Sequence, residues 1–259
     1  MSPHACATGL LPFREELTQC LRFIRRPSLK RTFANRPAES RAFGAWHADW
    51  WPGIAPKRLL AWAAMLWLVN IVLLGPLVLT VFELSGATHR IDVRNLPWFL
   101  ALIWAPIVEE LLFRFGLRRP IHALWLVPVL ILVFLNGMQW WAGSLLGVSV
   151  LILWWLGRWN VMPRVWAWPW LRAYCRHFPW VMHASVLAFA VLHLHNFQFE
   201  QMAWWMMMVL VLPQWVTGQV LAWMRVERGI GAAMLLHALF NAGPLAVVWV
   251  GLQFANGAT

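Results

Sequence analysis

The feature that most constrains this chain is a succession of apolar segments, each close to the length of a membrane-spanning helix. About 20 apolar residues are needed to cross the hydrocarbon core of a bilayer as a helix. Seven such segments follow the first 57 residues, at positions 59–82, 96–118, 121–137, 140–157, 180–198, 203–224 and 229–252. The sequence therefore predicts an all-α, polytopic integral membrane helix bundle with about seven transmembrane helices.

Composition supports this fold class, because 61% of the 259 residues are hydrophobic and 12% are charged. A soluble domain with that balance could not cover its surface with polar groups. The net charge of +11 would suggest nucleic acid as the partner of a soluble protein. Here the basic residues flank apolar segments, so we expect the lipid bilayer to be the partner and expect no nucleic-acid binding.

The distribution of basic residues predicts the orientation of the chain. With the N-terminus in the cytoplasm, all but three of the 21 Lys and Arg residues fall in the N-terminal tail or in inner loops. Cytoplasmic segments of membrane proteins are enriched in Lys and Arg. We therefore expect residues 1–57 to form a cytoplasmic tail and residues 58–259 a transmembrane domain. Compactness and the absence of organelle signals favour a bacterial inner membrane.

Three ionisable side chains, Glu109, Glu110 and Arg114, lie within the second apolar segment. Charged groups are costly at that depth and commonly mark a functional site. Glu110 and Arg114 are four residues apart and share one helix face in the favourable acid-first order, which predicts an internal ion pair. Glu109 points in another direction, so it requires a partner on another helix or a water molecule.

Polar side chains also occur in the fifth and seventh segments, at His193, His237 and Asn241. Together with Glu109 they predict a hydrolytic site, in which the carboxylate acts as general base on a water held by an imidazole. A second imidazole and an amide N–H would donate to the developing oxyanion. Histidine and asparagine in membranes also serve as interhelical hydrogen-bonding residues, and Phe189, one turn before His193, is more typical of packing.

The three motifs together resemble those of a known family. Glu-Glu-x-x-x-Arg at 109–114, Phe-x-x-x-His at 189–193 and His-x-x-x-Asn at 237–241 look like the motifs of the CPBP family. This family contains the CAAX proteases and the bacteriocin-processing enzymes, also called Abi proteins. The resemblance covers residues 96–245. It implies a CPBP-like protease domain and an intramembrane endopeptidase, a hydrolase that cuts a membrane-associated peptide or protein.

Carried over by position, the resemblance implies a role for each site residue. Glu109 would activate water with the help of His193, while His237 and Asn241 would stabilise the oxyanion. The supporting positions would be Glu110, Arg114 and Phe189. The family is often labelled metalloprotease, and two histidines with a glutamate could ligate zinc. Because the chain has no His-Glu-x-x-His helix, we expect no metal and no other cofactor.

Two other classes of function stay open on the residues alone. A non-catalytic membrane scaffold or partner-binding protein would use the same polar side chains to fix helix packing or to hold a partner's transmembrane segment. A transporter or proton relay would exchange protons between Glu109 and His193, but the sequence contains no pair of broken helices or inverted repeat. Replacement of Glu109 by Gln should be tolerated by a scaffold and should inactivate a hydrolase.

Overall fold

The computed structural model describes residues 11–29, 49–90, 96–159, 167–199 and 203–257, and helices dominate these ranges. The α-helices are α1 (Phe13–Arg25), α2 (Pro56–Trp67), α3 (Gly75–Ser85), α4 (Ala105–Phe113), α5 (Pro120–Asn136), α6 (Trp140–Trp159), α7 (Ala167–Leu192), α8 (Trp204–Arg228) and α9 (Ile230–Gly257). A π-helical segment, Leu68–Leu74, joins α2 to α3, and a second, Leu100–Trp104, leads into α4.

Short elements follow the helices near the candidate site. The 3-10 turn Phe115–Leu117 follows α4, and the 3-10 turn His193–Asn196 follows α7. Strand β1 (Thr88–His89) pairs antiparallel with β2 (Phe197–Gln198), so that His89 lies opposite Phe197. This pairing ties the segment after α3 to the segment after α7.

Four helices in the described part of the chain are long and apolar enough to cross a membrane: Pro56–Ser85, Pro169–Asn196, Trp204–Arg228 and Ile230–Phe254. They correspond to the first, fifth, sixth and seventh predicted segments and support an integral membrane helix bundle. The third and fourth segments are shorter apolar helices, Pro120–Asn136 and Trp140–Leu156. The second is divided between a π-helix and the nine residues of α4, so the structure does not confirm a count of seven spans.

Proline in a membrane helix leaves one carbonyl without its usual donor, and another helix supplies a donor to α9. Pro244 lies inside α9 and has no N–H to offer the carbonyl of Phe240, four residues earlier. The indole N–H of Trp67 donates to that carbonyl at 3.0 Å. Gly243 makes the approach possible, because a Cβ there would overlap the Trp67 indole.

Two groups of buried apolar side chains form the core, and α4 lies where they meet. One group, which includes Trp62 and Trp223, joins α1, α2, α7, α8 and α9. The other, which includes Val108, Leu111 and Phe115, joins α4 to α5 and α6. This position surrounds the ionisable residues of α4 with protein on both sides.

Part of the segment assigned to the N-terminal tail packs into the first of these groups. Helix α1 buries Glu16, Cys20 and Phe23, and burial raises the pKa of the Cys20 thiol to about 12. The Glu16 carboxylate accepts from Arg228 Nη2 at 2.6 Å, and its other oxygen lies 3.7 Å from Arg58 Nε. These ion pairs attach α1 to the C-terminal end of α8 and the N-terminal end of α2.

Candidate active site

The second of the two adjacent glutamates, Glu110, is at the centre of a fully buried charge network. Its Oε1 accepts from Arg114 Nη1 at 2.6 Å, one turn along the chain, as the spacing of the two residues predicted. The same oxygen lies 2.9 Å from Nδ1 of His237 on α9. Because a carboxylate can only accept, Nδ1 of His237 must carry the hydrogen. The bond therefore orients the imidazole with Nε2 on the far side.

The first glutamate, Glu109, lies between two imidazoles. Its Oε2 is 3.7 Å from Nε2 of His237 and 3.9 Å from Nε2 of His193. The Glu109 side chain is 13% exposed, and its Oε2 has no hydrogen-bond partner among the residues that the structure describes. The structure therefore brings together one carboxylate and two imidazoles from three helical segments, at separations slightly longer than a direct hydrogen bond.

His193 is the first residue of the 3-10 turn that follows α7, and it lies within the apolar stretch Pro169–Asn196 that corresponds to the fifth predicted span. Its Nδ1 lies 2.8 Å from the carbonyl oxygen of Phe189. Since that carbonyl can only accept, Nδ1 carries the hydrogen and Nε2 of the neutral ring presents a lone pair toward Glu109. The neighbouring His195 is exposed and belongs to the same turn.

Phe189 packs at the centre of the site and is fully buried. The Arg114 guanidinium lies over the Phe189 ring, 3.9 Å from its centroid. The Phe189 and His237 rings pack in a T-shaped arrangement with their centroids 5.8 Å apart. Gly218 on α8 completes this packing, because a Cβ there would approach Arg114 Nη2 and Phe189 at 3.3 Å. Phe189 therefore supports the guanidinium and one imidazole and is placed as a packing residue.

Asn241 lies one turn after His237 and is bonded to the segment that precedes α4. Its Nδ2 donates to the carbonyl of Ala101 at 2.8 Å. In the π-helical segment the N–H of Ala105 bonds the carbonyl of Leu100, five residues earlier. In that register the partner of Ala101 would be Pro106, which has no N–H. Asn241 thus satisfies a carbonyl left without a donor, and this bond uses one of its two amide hydrogens.

The sequence did not suggest the buried ion pairs of Asp49 with Arg225 and Arg119. Asp49, just before the first span, is buried and accepts from Nη1 and Nη2 of Arg225, the latter at 3.1 Å, and from Arg119 Nε at 3.2 Å. Burial alone would raise the pKa of Asp49, but the charges of Arg225, Arg119 and Arg118 lower it to about 2. An acidic residue within a basic tail was the sequence signal that could have indicated these pairs.

The donor set of Glu109, His193 and His237 consists of residue types that bind zinc. Within the described ranges, however, no group of three or more His, Cys, Asp or Glu side chains has the arrangement of a metal site.

Comparison with known proteins adds no narrower class to the one that the fold defines. No family model, curated protein or solved structure matches the chain. The fold defines an integral membrane helix bundle with a buried carboxylate and imidazole cluster.

Proposed function

We propose that this chain is an intramembrane endopeptidase that hydrolyses a peptide bond in a membrane-associated peptide or protein, using water activated by Glu109. It would lie in a bacterial inner membrane with a cytoplasmic N-terminus and a lipid partner. The three shorter apolar segments would complete a bundle of seven spans. The proposal agrees with the resemblance of the three motifs to those of the CPBP family.

The observation that supports the proposal is that three hydrogen-bond acceptor atoms, one from Glu109 and one from each of two histidines, lie close together. Nδ1 of His193 and Nδ1 of His237 both donate to oxygen, so in the neutral rings both Nε2 atoms are acceptors. Both face Oε2 of Glu109, which is also an acceptor, at 3.9 and 3.7 Å. A water molecule has two hydrogens to donate and bridges polar atoms at such separations. Such a water would be hydrogen-bonded to Glu109, the proposed general base.

These positions support hydrolysis by general-base catalysis. Glu109 accepts a proton from the bound water as the oxygen attacks the peptide carbonyl carbon, and His193 accepts the second hydrogen bond of that water and orients it. In the neutral ring Nε2 of His237 is an acceptor that faces the water, and once the ring has taken up a proton from solvent the Nε2–H donates to the oxyanion. Glu109 then gives its proton to the amide nitrogen as the C–N bond breaks, so that an amine and a carboxylic acid are released, the Glu109 carboxylate is regenerated and one water is consumed.

Glu110 and Arg114 hold His237 rather than react. The Glu110 carboxylate is fully buried and already bonds both Arg114 and His237, so its role is to fix the ring that faces Glu109. Asn241 would contribute through its remaining amide hydrogen, because its other one is bonded to Ala101. The reacting groups are therefore Glu109, His193 and His237.

The test compares wild type with Glu109→Gln in native membranes by mass spectrometry of small membrane peptides. Gln keeps the size of the side chain but is a poor base, so a substrate should accumulate at full length and its product should disappear. The matched control is Glu83→Gln, which makes the same change at an exposed position of α3 and should leave the peptides as in wild type. Unchanged peptides in Glu109→Gln membranes at equal protein abundance would favour the scaffold.

A further inference from the structure

Five consecutive backbone carbonyls at the C-terminal end of α4 and in the turn after it lie within hydrogen-bonding distance of side-chain donors of α7 and α8. Ser185 Oγ donates to the carbonyl of Phe113. Arg225 donates from Nε to the carbonyl of Arg114 at 3.0 Å and from Nη2 to that of Phe115 at 3.1 Å. Tyr174 Oη lies 3.1 Å from the carbonyls of both Gly116 and Leu117.

The last carbonyls of a helix have no partner within it, and in a buried helix they must be satisfied by other groups. Here each of the five carbonyls meets a side chain from a neighbouring helix, although backbone N–H groups also reach some of them. The donors are side chains of helices that do not carry Glu109 or His237. They therefore fix the position of α4 relative to α7 and α8.

We infer that Ser185, Tyr174 and Arg225 are positioning residues that hold α4, and with it Glu109, at the working distance from the two imidazoles. We call these three donors, together with the carbonyls at 113–117, the α4 clamp. The inference rests on the proposed function for its consequence in catalysis, but the geometry it describes is measurable without any activity.

Asp49 extends the clamp to the segment before the first span. The Arg225 guanidinium divides its donors between the Asp49 carboxylate and two carbonyls at the end of α4. The forked guanidinium fits such a shared arrangement, whereas a lysine ammonium does not. Asp49 therefore keeps Arg225 in the orientation that reaches α4.

The π-helical segment that leads into α4 is held as well, through the bond from Asn241 to the carbonyl of Ala101. With bonds to other helices both before and after it, α4 has little freedom to slide. A displacement of about 1 Å at a reacting group reduces an enzymatic rate by about a hundredfold. The distances of 3.7 and 3.9 Å around Glu109 would be changed by such a shift.

The first test reads the site directly, by NMR of isotope-labelled histidine in protein reconstituted into lipid nanodiscs. The signals of His193 and His237 are assigned by replacing each with Gln. In Tyr174→Phe, Ser185→Ala and the double variant, the two signals and their titration with pH should move. Tyr174→Phe removes only the hydroxyl and keeps the ring contacts with Phe178 and Trp170.

The matched control is Ser149→Ala, because Ser149 also donates to a backbone carbonyl, that of Leu145 within α6. A control variant that loses this bond should leave the histidine signals in place. If the clamp variants lower thermal stability yet leave both signals and their pH titration as in wild type, their role is structural alone and the inference is overturned. If the double variant does not fold, the two single variants decide the same question.

The second test measures cleavage of the substrate identified through Glu109→Gln. The double variant should cleave at least about tenfold more slowly than wild type, and Ser149→Ala should cleave at the wild-type rate. Absence of any Glu109-dependent product in wild type would refute the proposed function, while the histidine signals would still test the clamp. Wild-type rates in all clamp variants would refute the clamp and leave the proposed function in place.

Discussion

Replacement of Asp49 by Asn should destabilise the protein in a pH-dependent manner. The pKa of this carboxyl falls from its ordinary value of 3.8 to about 2, because the favourable charges of Arg225, Arg119 and Arg118 outweigh the cost of burial. Each pKa unit corresponds to about 1.4 kcal/mol, so the ionised carboxylate contributes about 2 kcal/mol at neutral pH. The Asn variant also leaves Arg225 buried without its counter-charge, which adds to the loss.

The sign of the pH dependence follows from the lowered pKa. A carboxyl whose pKa is lower in the folded state stabilises the fold fully above its ordinary pKa, and this contribution is lost as the pH falls through the folded value. The difference in unfolding free energy between wild type and Asp49→Asn should therefore be largest at neutral pH. It should shrink as the pH falls from about 4 through about 2, because the carboxyl becomes protonated in both states only below its folded-state pKa of about 2.

The assay is detergent-induced unfolding followed by the intrinsic fluorescence of the 22 Trp residues, at a series of pH values. The control variant Glu15→Gln changes an exposed carboxylate of α1 and should differ little from wild type at any pH, since exposed charges contribute little. Equal stability of wild type and Asp49→Asn at neutral pH would refute the reasoning. So would a difference that persists unchanged to the most acidic point.

Three further measurements test other parts of the structure. Glu110→Gln removes the charge that balances buried Arg114 and should destabilise the protein by about 3–5 kcal/mol in the same unfolding assay; a loss below about 1 kcal/mol would contradict the buried pair. Trp67→Phe leaves the carbonyl of Phe240 without a donor and should cost about 1–3 kcal/mol, with hydrogen exchange of α9 increased near Pro244. Chelators should leave cleavage unchanged, whereas loss of activity that added zinc restores would refute a metal-free mechanism.

The ion pair between Glu110 and Arg114 could be predicted from the sequence because both residues lie on one helix. Their four-residue spacing is sufficient to place the side chains on the same face, and the structure confirms the bond at 2.6 Å. The second partner of Glu110, His237, could not be derived in this way. That bond joins two helices, and it depends on the rotation and separation of α4 and α9, which no local spacing specifies.

The hydrogen-bond partner of Asn241 likewise could not be predicted from residue spacing. Spacing correctly placed it one turn from His237, but the atom it bonds is the carbonyl of Ala101. That carbonyl is free because of the π-helical register before Pro106. The number of long spans likewise depends on where such irregularities interrupt a helix. In the described residues, four of the predicted segments form helices that are long and apolar enough to cross a membrane.

The sequence by itself determined the class of environment and the contacts within single helices. Apolar segment length indicates a membrane, and residue spacing specifies which side chains share a helix face. Only the tertiary structure decided which helices meet, and so brought Glu109, His193 and His237 to one point and placed Ser185, Tyr174 and Arg225 against the end of α4. The physical reason is that helix periodicity is a local property, whereas contacts between helices arise from the packing of the whole bundle.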